Sequence, residues 1–287
     1  MTDFNFSRRS LLRFASAALP VRALGFSATL FGLEELAGAS DGLPVRDTFP
    51  SQPPELVREV VTVAHFDLKR VKELVEARPS LAIAGWDWGF GDWETPLGAA
   101  SHMGNRPMAE YLLSRGAHPT LFSATMLGQL DVVKSLLAAN PGVQKIRGPH
   151  GISLLAHARM GGDAARPVFE LLKSMEDSEM PASAALADAE TAGLLGTYIF
   201  GMGVTQQVEI TADPKMYGAK AYPAPPPLTW TRKGSVGRPL FHLGDHTFFP
   251  GGAAAVRIKF AEENGEVVMT VTDADLVLTA RRKKEAK

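Results

Sequence analysis

Thr95-Pro96-Leu97-Gly98-Ala99-Ala100-Ser101-His102-Met103-Gly104 is the stretch on which the fold turns. The segment reads as the first of two short helices. Gly104 reads as the end of that helix, where the chain needs left-handed backbone. Met108, Leu112 and Leu113 then recur at helical spacing, and Gly116-Ala117 closes the segment. Residues 95–117 therefore predict two short helices joined by a tight turn, each with one apolar stripe. Such a pair cannot bury its stripe alone, so it needs neighbours of the same kind.

The neighbours are legible on both sides. Upstream, His65-Phe66-Asp67 precedes Val71, Leu74 and Val75; downstream, Leu127-Gly128 precedes Val132, Val133, Leu136 and Leu137. A looser copy follows, Ser153-Leu154-Leu155-Ala156-His157-Ala158 with Gly161-Gly162, then Val168, Leu171 and Leu172. About four helix pairs are expected between Glu55 and Lys173, sharing one continuous apolar spine. The segment Thr95-Pro96-Leu97-Gly98-Ala99-Ala100 resembles the Thr-Pro-Leu-His-x-Ala signature of ankyrin repeats, with Gly98 where histidine is usual. That resemblance implies an all-α solenoid with a concave face, and a non-enzymatic role in binding another protein.

Anchored on Asp67, Gly104, Gly128 and Gly162, the repeats are spaced 37, 24 and 34 residues apart, against a family period of about 33. The short interval leaves no residues for a projecting finger, so 116–120 must pass straight into the next helix. The long interval holds an enlarged one, Trp86-Asp87-Trp88-Gly89-Phe90-Gly91-Asp92-Trp93-Glu94. Four aromatic side chains within nine positions either fold back onto the first two repeats or form a contact patch for a partner; the sequence leaves both open. On the second reading the partner-binding candidates are Trp86, Trp88, Phe90, Trp93, Glu94, His102 and His150.

From Leu195 onward short alternating segments replace the helical spacing. Eight strands are expected, at Gly196–Phe200, Gln206–Ile210, Leu228–Arg232, Pro239–Leu243, Thr247–Phe249, Val256–Phe260, Val267–Val271 and Leu276–Ala280. Asn264-Gly265 signals a two-residue hairpin, and Asp273-Ala274-Asp275 a second turn. Val256, Ile258 and Phe260 should share one face, as should Leu276, Leu278 and Ala280. The fold class is thus α+β: an ankyrin solenoid followed by a small antiparallel β domain, a curled sheet or small barrel. Gly196-Thr197-Tyr198 at its start and Arg281-Arg282 at its exit loosely resemble the lipocalin-like domains appended to β-lactamase-related hydrolases. No Ser-x-x-Lys motif is present, so that resemblance carries no activity with it.

At the N-terminus Ser7-Arg8-Arg9-Ser10-Leu11-Leu12-Arg13 resembles a bacterial twin-arginine export signal. The apolar stretch 14–33 and the small residues Ala37-Gly38-Ala39 suit a leader and its cleavage site. The expected organisation is a signal segment 1–39, a Pro-rich linker 40–54, repeats 55–178, a linker helix or turn 179–193, the β domain 194–281 and a basic tail 282–287. The expected location is periplasmic or secreted, with membrane contact only during export.

Composition narrows the chemistry. The net charge of −1 gives no field to attract nucleic acid, and the absence of cysteine removes disulfides, thiolate nucleophiles and cysteine metal sites. Phosphate-binding and hydrolase motifs are missing, so no catalytic residues and no cofactor are expected. His65 and His102 fall at equivalent positions of consecutive repeats, which stacking would bring together near His157 and the Gly148-Pro149-His150-Gly151 loop. A metal or general-base cluster is one reading; hydrogen bonding to neighbouring turns is the default, because no spacing there matches a ligand motif. In the β domain, His242, Asp245 and His246 are the candidates for a metal, against turn chemistry around Gly244-Asp245. They open an alternative, a small-molecule, metal or hydrolase-like site in that domain.

Overall fold

Most of the repeat helices begin where the sequence supplies a side-chain cap. The helices α1 (Pro54–Val63), α2 (Leu68–Ala77), α3 (Pro96–His102), α4 (Arg106–Ser114), α5 (Leu121–Met126), α6 (Leu130–Ala139), α7 (Leu154–Met160) and α8 (Arg166–Lys173) form four consecutive pairs. Asp67 accepts from the Arg70 N–H at 2.9 Å, Thr95 from Gly98 at 3.0 Å and Asn105 from Met108 at 3.2 Å. Thr120 and Ser123 cap each other reciprocally ahead of α5. The computed structural model describes residues 49–175, 183–201, 206–212, 226–232, 235 and 237–284. The segment read as a twin-arginine signal, the expected cleavage site at 37–39 and the expected linker up to residue 48 lie outside them.

Within the pairs, α1 packs on α2, α3 on α4, α5 on α6 and α7 on α8. Between pairs, α1 touches α3, while α3, α5 and α7 all touch one another. The later pairs thus gather into a three-way contact instead of continuing a linear stack. Small buried side chains permit this approach: Ala99 and Ala100 on α3, Ala124 on α5, Ala156 and Ala158 on α7. The turns help too. Gly104 and Gly128 have φ of 69° and 72°, and a Cβ on either would run into the Met160 or Ala164 carbonyl. The chain leaving α7 therefore lies against both turns.

The expected single spine is divided into two apolar clusters. One joins α1 to α4 and takes in Met126; the other is formed by α5 to α8. Buried polar side chains on the three central helices, Ser101, His102, Thr125 and His157, interrupt an otherwise apolar interior.

After α9 (Asp188–Leu194), strands β3 (Gly196–Ile199), β4 (Gln207–Thr211), β5 (Leu228–Arg232), β6 (Arg238–Gly244), β7 (Thr247–Pro250), β8 (Arg257–Glu263), β9 (Glu266–Asp273) and β10 (Leu276–Arg282) form a closed antiparallel barrel. Each strand pairs with the next, and β10 closes onto β3. Closure removes the open sheet edges that would otherwise invite pairing with other chains. Asn264 and Gly265 both adopt positive φ between the paired Glu263 and Glu266, as a two-residue hairpin turn requires. Tyr198, Phe248, Ile258 and Phe260 fill the interior.

One face differs from expectation. Val256, Ile258, Phe260 and Ala280 are buried, but Leu276 and Leu278 are exposed. The closing pairs of β10 with β3 are Arg281↔Ile199 and Arg282↔Tyr198. The first half of β10 therefore extends past the barrel seam with no core beneath it among the described residues.

Candidate functional site

The aromatic finger is a miniature hairpin, β1 (Trp86–Asp87) and β2 (Trp93–Glu94), in which Trp86 pairs with Glu94 and Asp87 with Trp93. Gly89, Phe90 and Gly91 at its tip all have positive φ. Strand alternation sends Trp93 and Glu94 to opposite sides. Trp93 is 64% exposed, and Glu94 is buried.

The other aromatics are held within the protein. Trp86 and Trp88 pack on the apolar cluster of the first two helix pairs. Phe90 reaches the barrel, where its ring meets Trp230 at 6.2 Å and lies 5.8 Å from the Arg238 guanidinium. The finger is thus wedged between helices and barrel.

Asp92 fastens the wedge. Its buried carboxylate accepts from the His150 backbone N–H at 2.8 Å and from His150 Nδ1 at 3.0 Å, and pairs with Arg238 Nη2 at 3.3 Å. Arg238 also donates to the Gly89 carbonyl at 3.1 Å. One carboxylate so joins the finger, the 148–151 loop and strand β6.

Two positions on, Glu94 organises a second network. Trp88 Nε1 donates to its Oε2 at 2.8 Å, and His102 Nε2 lies 2.9 Å from its Oε1. His65 Nε2 and His150 Nε2 face Oε2 at 3.6 and 3.4 Å. The far side of His65 is fixed, with Nδ1 3.0 Å from both the Val61 and the Thr62 carbonyl. One ligand atom each from His65, Glu94, His102 and His150 lies within 4.8 Å of all the others, and this is the one such group among the described residues.

The electrostatics follow from burial and facing charge. Burial alone would raise the Glu94 carboxyl, but the His150 and His102 rings outweigh it and hold it well below the usual carboxylate range. Burial opposes charge on His150, yet the Glu94 and Asp92 carboxylates prevail and raise its pKa to about 10. At His102 burial wins over the hydrogen bond to Glu94 and the pKa falls. His157, whose Nδ1 lies 2.8 Å from the Ser153 carbonyl, is pushed down to about 3 by burial.

Stacking of the repeats brings His65 and His102 side by side, ring centroids 4.9 Å apart, with His150 and His157 next to His102. Of the finger and loop residues read as partner-binding, Trp93 faces outward, His150 is partly exposed, and Glu94 and His102 face inward. The barrel candidates have separate partners: His242 Nδ1 lies 3.0 Å from the Ala185 carbonyl, Asp245 pairs with Lys259 and His246 with Glu190. Sequence reasoning did not single out Asp92. Its signal was the spacing of two from Glu94, which sets both carboxylates on one face of an extended segment.

A sequence model of the ankyrin repeat matches residues 92–122, from the end of the finger through α3 and α4 into α5. No curated protein matches the chain. Ankyrin repeats as a class serve as protein-interaction modules, which gives residues 92–122 a coarse functional meaning.

Proposed function

We propose that this chain is an exported, non-enzymatic protein-binding module, in which the finger offers its outer side to a partner while its inner side is held by the chain's own barrel. The observation that carries the reading is the ankyrin match over the segment that contains Trp93. An indole held outward by hairpin register, on a finger whose other aromatics are packed inside, is the kind of rigid anchor that dominates protein interfaces. The pairing Ser7-Arg8-Arg9 and the apolar leader after it support export as the route to that partner.

One experiment tests both parts. A photo-crosslinking residue placed at position 93 in the native host should yield one discrete adduct in the exported fraction. With Arg8→Lys and Arg9→Lys together, that adduct should disappear and the chain should remain inside the cell. A position-93 probe that gives no more adduct than one at the exposed Lys134, or an arginine-independent distribution, would contradict the proposal.

A further inference from the structure

We infer that His65, Glu94, His102 and His150 form a binding site for one divalent transition-metal ion of the zinc class, buried in the seam between the first two helix pairs, the finger and the 148–151 loop. This goes beyond the protein-binding role and does not depend on it.

The donor set comes first. Three imidazole nitrogens and one carboxylate oxygen are ligands that zinc, cobalt and nickel accept, and that hard cations such as calcium do not favour. The four atoms lie within 4.8 Å of one another. Ligand atoms around a tetrahedral zinc ion sit about 3.3 Å apart, so the set must close by roughly an ångström and a half at its widest. His150 is the most exposed of the four side chains, at 24%, and gives an ion its entry path.

Hydrogen placement is the second argument. His65 Nδ1 faces two carbonyl oxygens, and His150 Nδ1 faces the Asp92 carboxylate, so both must carry hydrogen. In both residues the opposite nitrogen, Nε2, is thereby left to face Glu94 Oε2, at 3.6 and 3.4 Å, so both rings are turned to present that nitrogen at one point. An ion at that point would displace any hydrogen on these nitrogens and itself offset the Glu94 charge. Binding of the far nitrogen to a carbonyl or carboxylate is also the support that metal-ligating histidines usually have.

His102 gives a third, independent indication. Its Nδ1 and the Nε2 of His157 are both buried without a hydrogen-bond partner, on rings whose centroids are 6.5 Å apart. His157 spends its hydrogen on Ser153, so its Nε2 is an acceptor. If His102 gave an Nε2 hydrogen to Glu94, its Nδ1 would be a second orphaned acceptor beside the first. With an ion on Nε2 the hydrogen moves to Nδ1, and the two orphaned atoms become a donor and an acceptor. The ion would join three stretches of chain distant in sequence, around His65, Glu94 to His102 and His150, which makes it a staple for the seam.

The test uses the full chain without a polyhistidine tag, stripped with chelator and titrated with zinc chloride and then cobalt chloride. One equivalent of zinc should bind, the cobalt form should show the intense visible absorption of a four-coordinate ion, and excess zinc should raise Tm by about 5–10 °C. His65→Ala and His150→Gln should each weaken binding by at least about 10-fold. His246→Ala on the barrel surface should leave it unchanged. His150→Gln keeps the backbone N–H that Asp92 accepts, so that variant remains folded and informative if His65→Ala does not. A folded chain that takes up no stoichiometric metal at about 100 µM zinc, or equal uptake by His150→Gln, overturns the inference.

Discussion

Asp92→Ala is expected to destabilise the folded protein by about 3–5 kcal/mol, the usual effect of removing one partner from a buried, hydrogen-bonded ion pair. The substitution leaves Arg238, nearly buried on β6, without the carboxylate it meets at 3.3 Å, and deprives the His150 backbone and ring of their acceptor. Three segments lose their common anchor at once. Urea unfolding monitored by tryptophan fluorescence reads the size of the effect. A double-mutant cycle with Arg238→Ala separates the pair from the rest, because the part of the cost that lies in the guanidinium losing Asp92 is removed in the double variant. A loss below about 1 kcal/mol for Asp92→Ala would mean that the clasp does not hold the seam.

Gly128→Ala should cost about 2–5 kcal/mol, and Gly116→Ala only about 1–2 kcal/mol. Both glycines have positive φ, 72° and 92°, so both substitutions incur the left-handed strain of about 1–2 kcal/mol. Only Gly128 has backbone against it, the Ala164 carbonyl of the fourth helix pair; around Gly116 a methyl group meets nothing. The difference, about 1–3 kcal/mol for forcing atoms into a filled space, measures how closely the third and fourth pairs approach. Equal effects at the two sites would place those pairs further apart than described.

Much of the architecture was legible because it depends on signals local to each element. The apolar spacing of Val71, Leu74 and Val75, of Met108 and Leu112, and of Val168 and Leu172 falls on helices that bury those positions. The barrel strands fall close to where alternation and the Asn264-Gly265 turn put them. Periodicity reports which face an element buries, but not what lies against it. The three-way contact of α3, α5 and α7 depends on alanines and glycines that carry no periodic signal, and so the division of the spine was not visible. The exposed Leu276 and Leu278 alternate as core residues do; what exposes them is that β10 outruns its pairing with β3.

The site was legible in half. Equivalent repeat positions brought His65 and His102 together on paper, and the Gly-Pro-His-Gly loop pointed to His150. Glu94 belonged to the finger, and nothing local said whether it faced a partner or the interior. The link from Arg238 to the finger spans 149 residues of sequence, and a contact of that separation leaves no pattern in a single chain.

The central claim is that the finger is a buried joint and not a free tip. Amide hydrogen exchange across residues 86–94 tests it most directly. The Trp88 and Asp92 amides are bonded within the finger, and the His150 amide is bonded to Asp92. All three should therefore exchange slowly, on the timescale of the helices and barrel strands they join. Exchange of 86–94 within seconds, as for a solvent-exposed loop, would contradict the account.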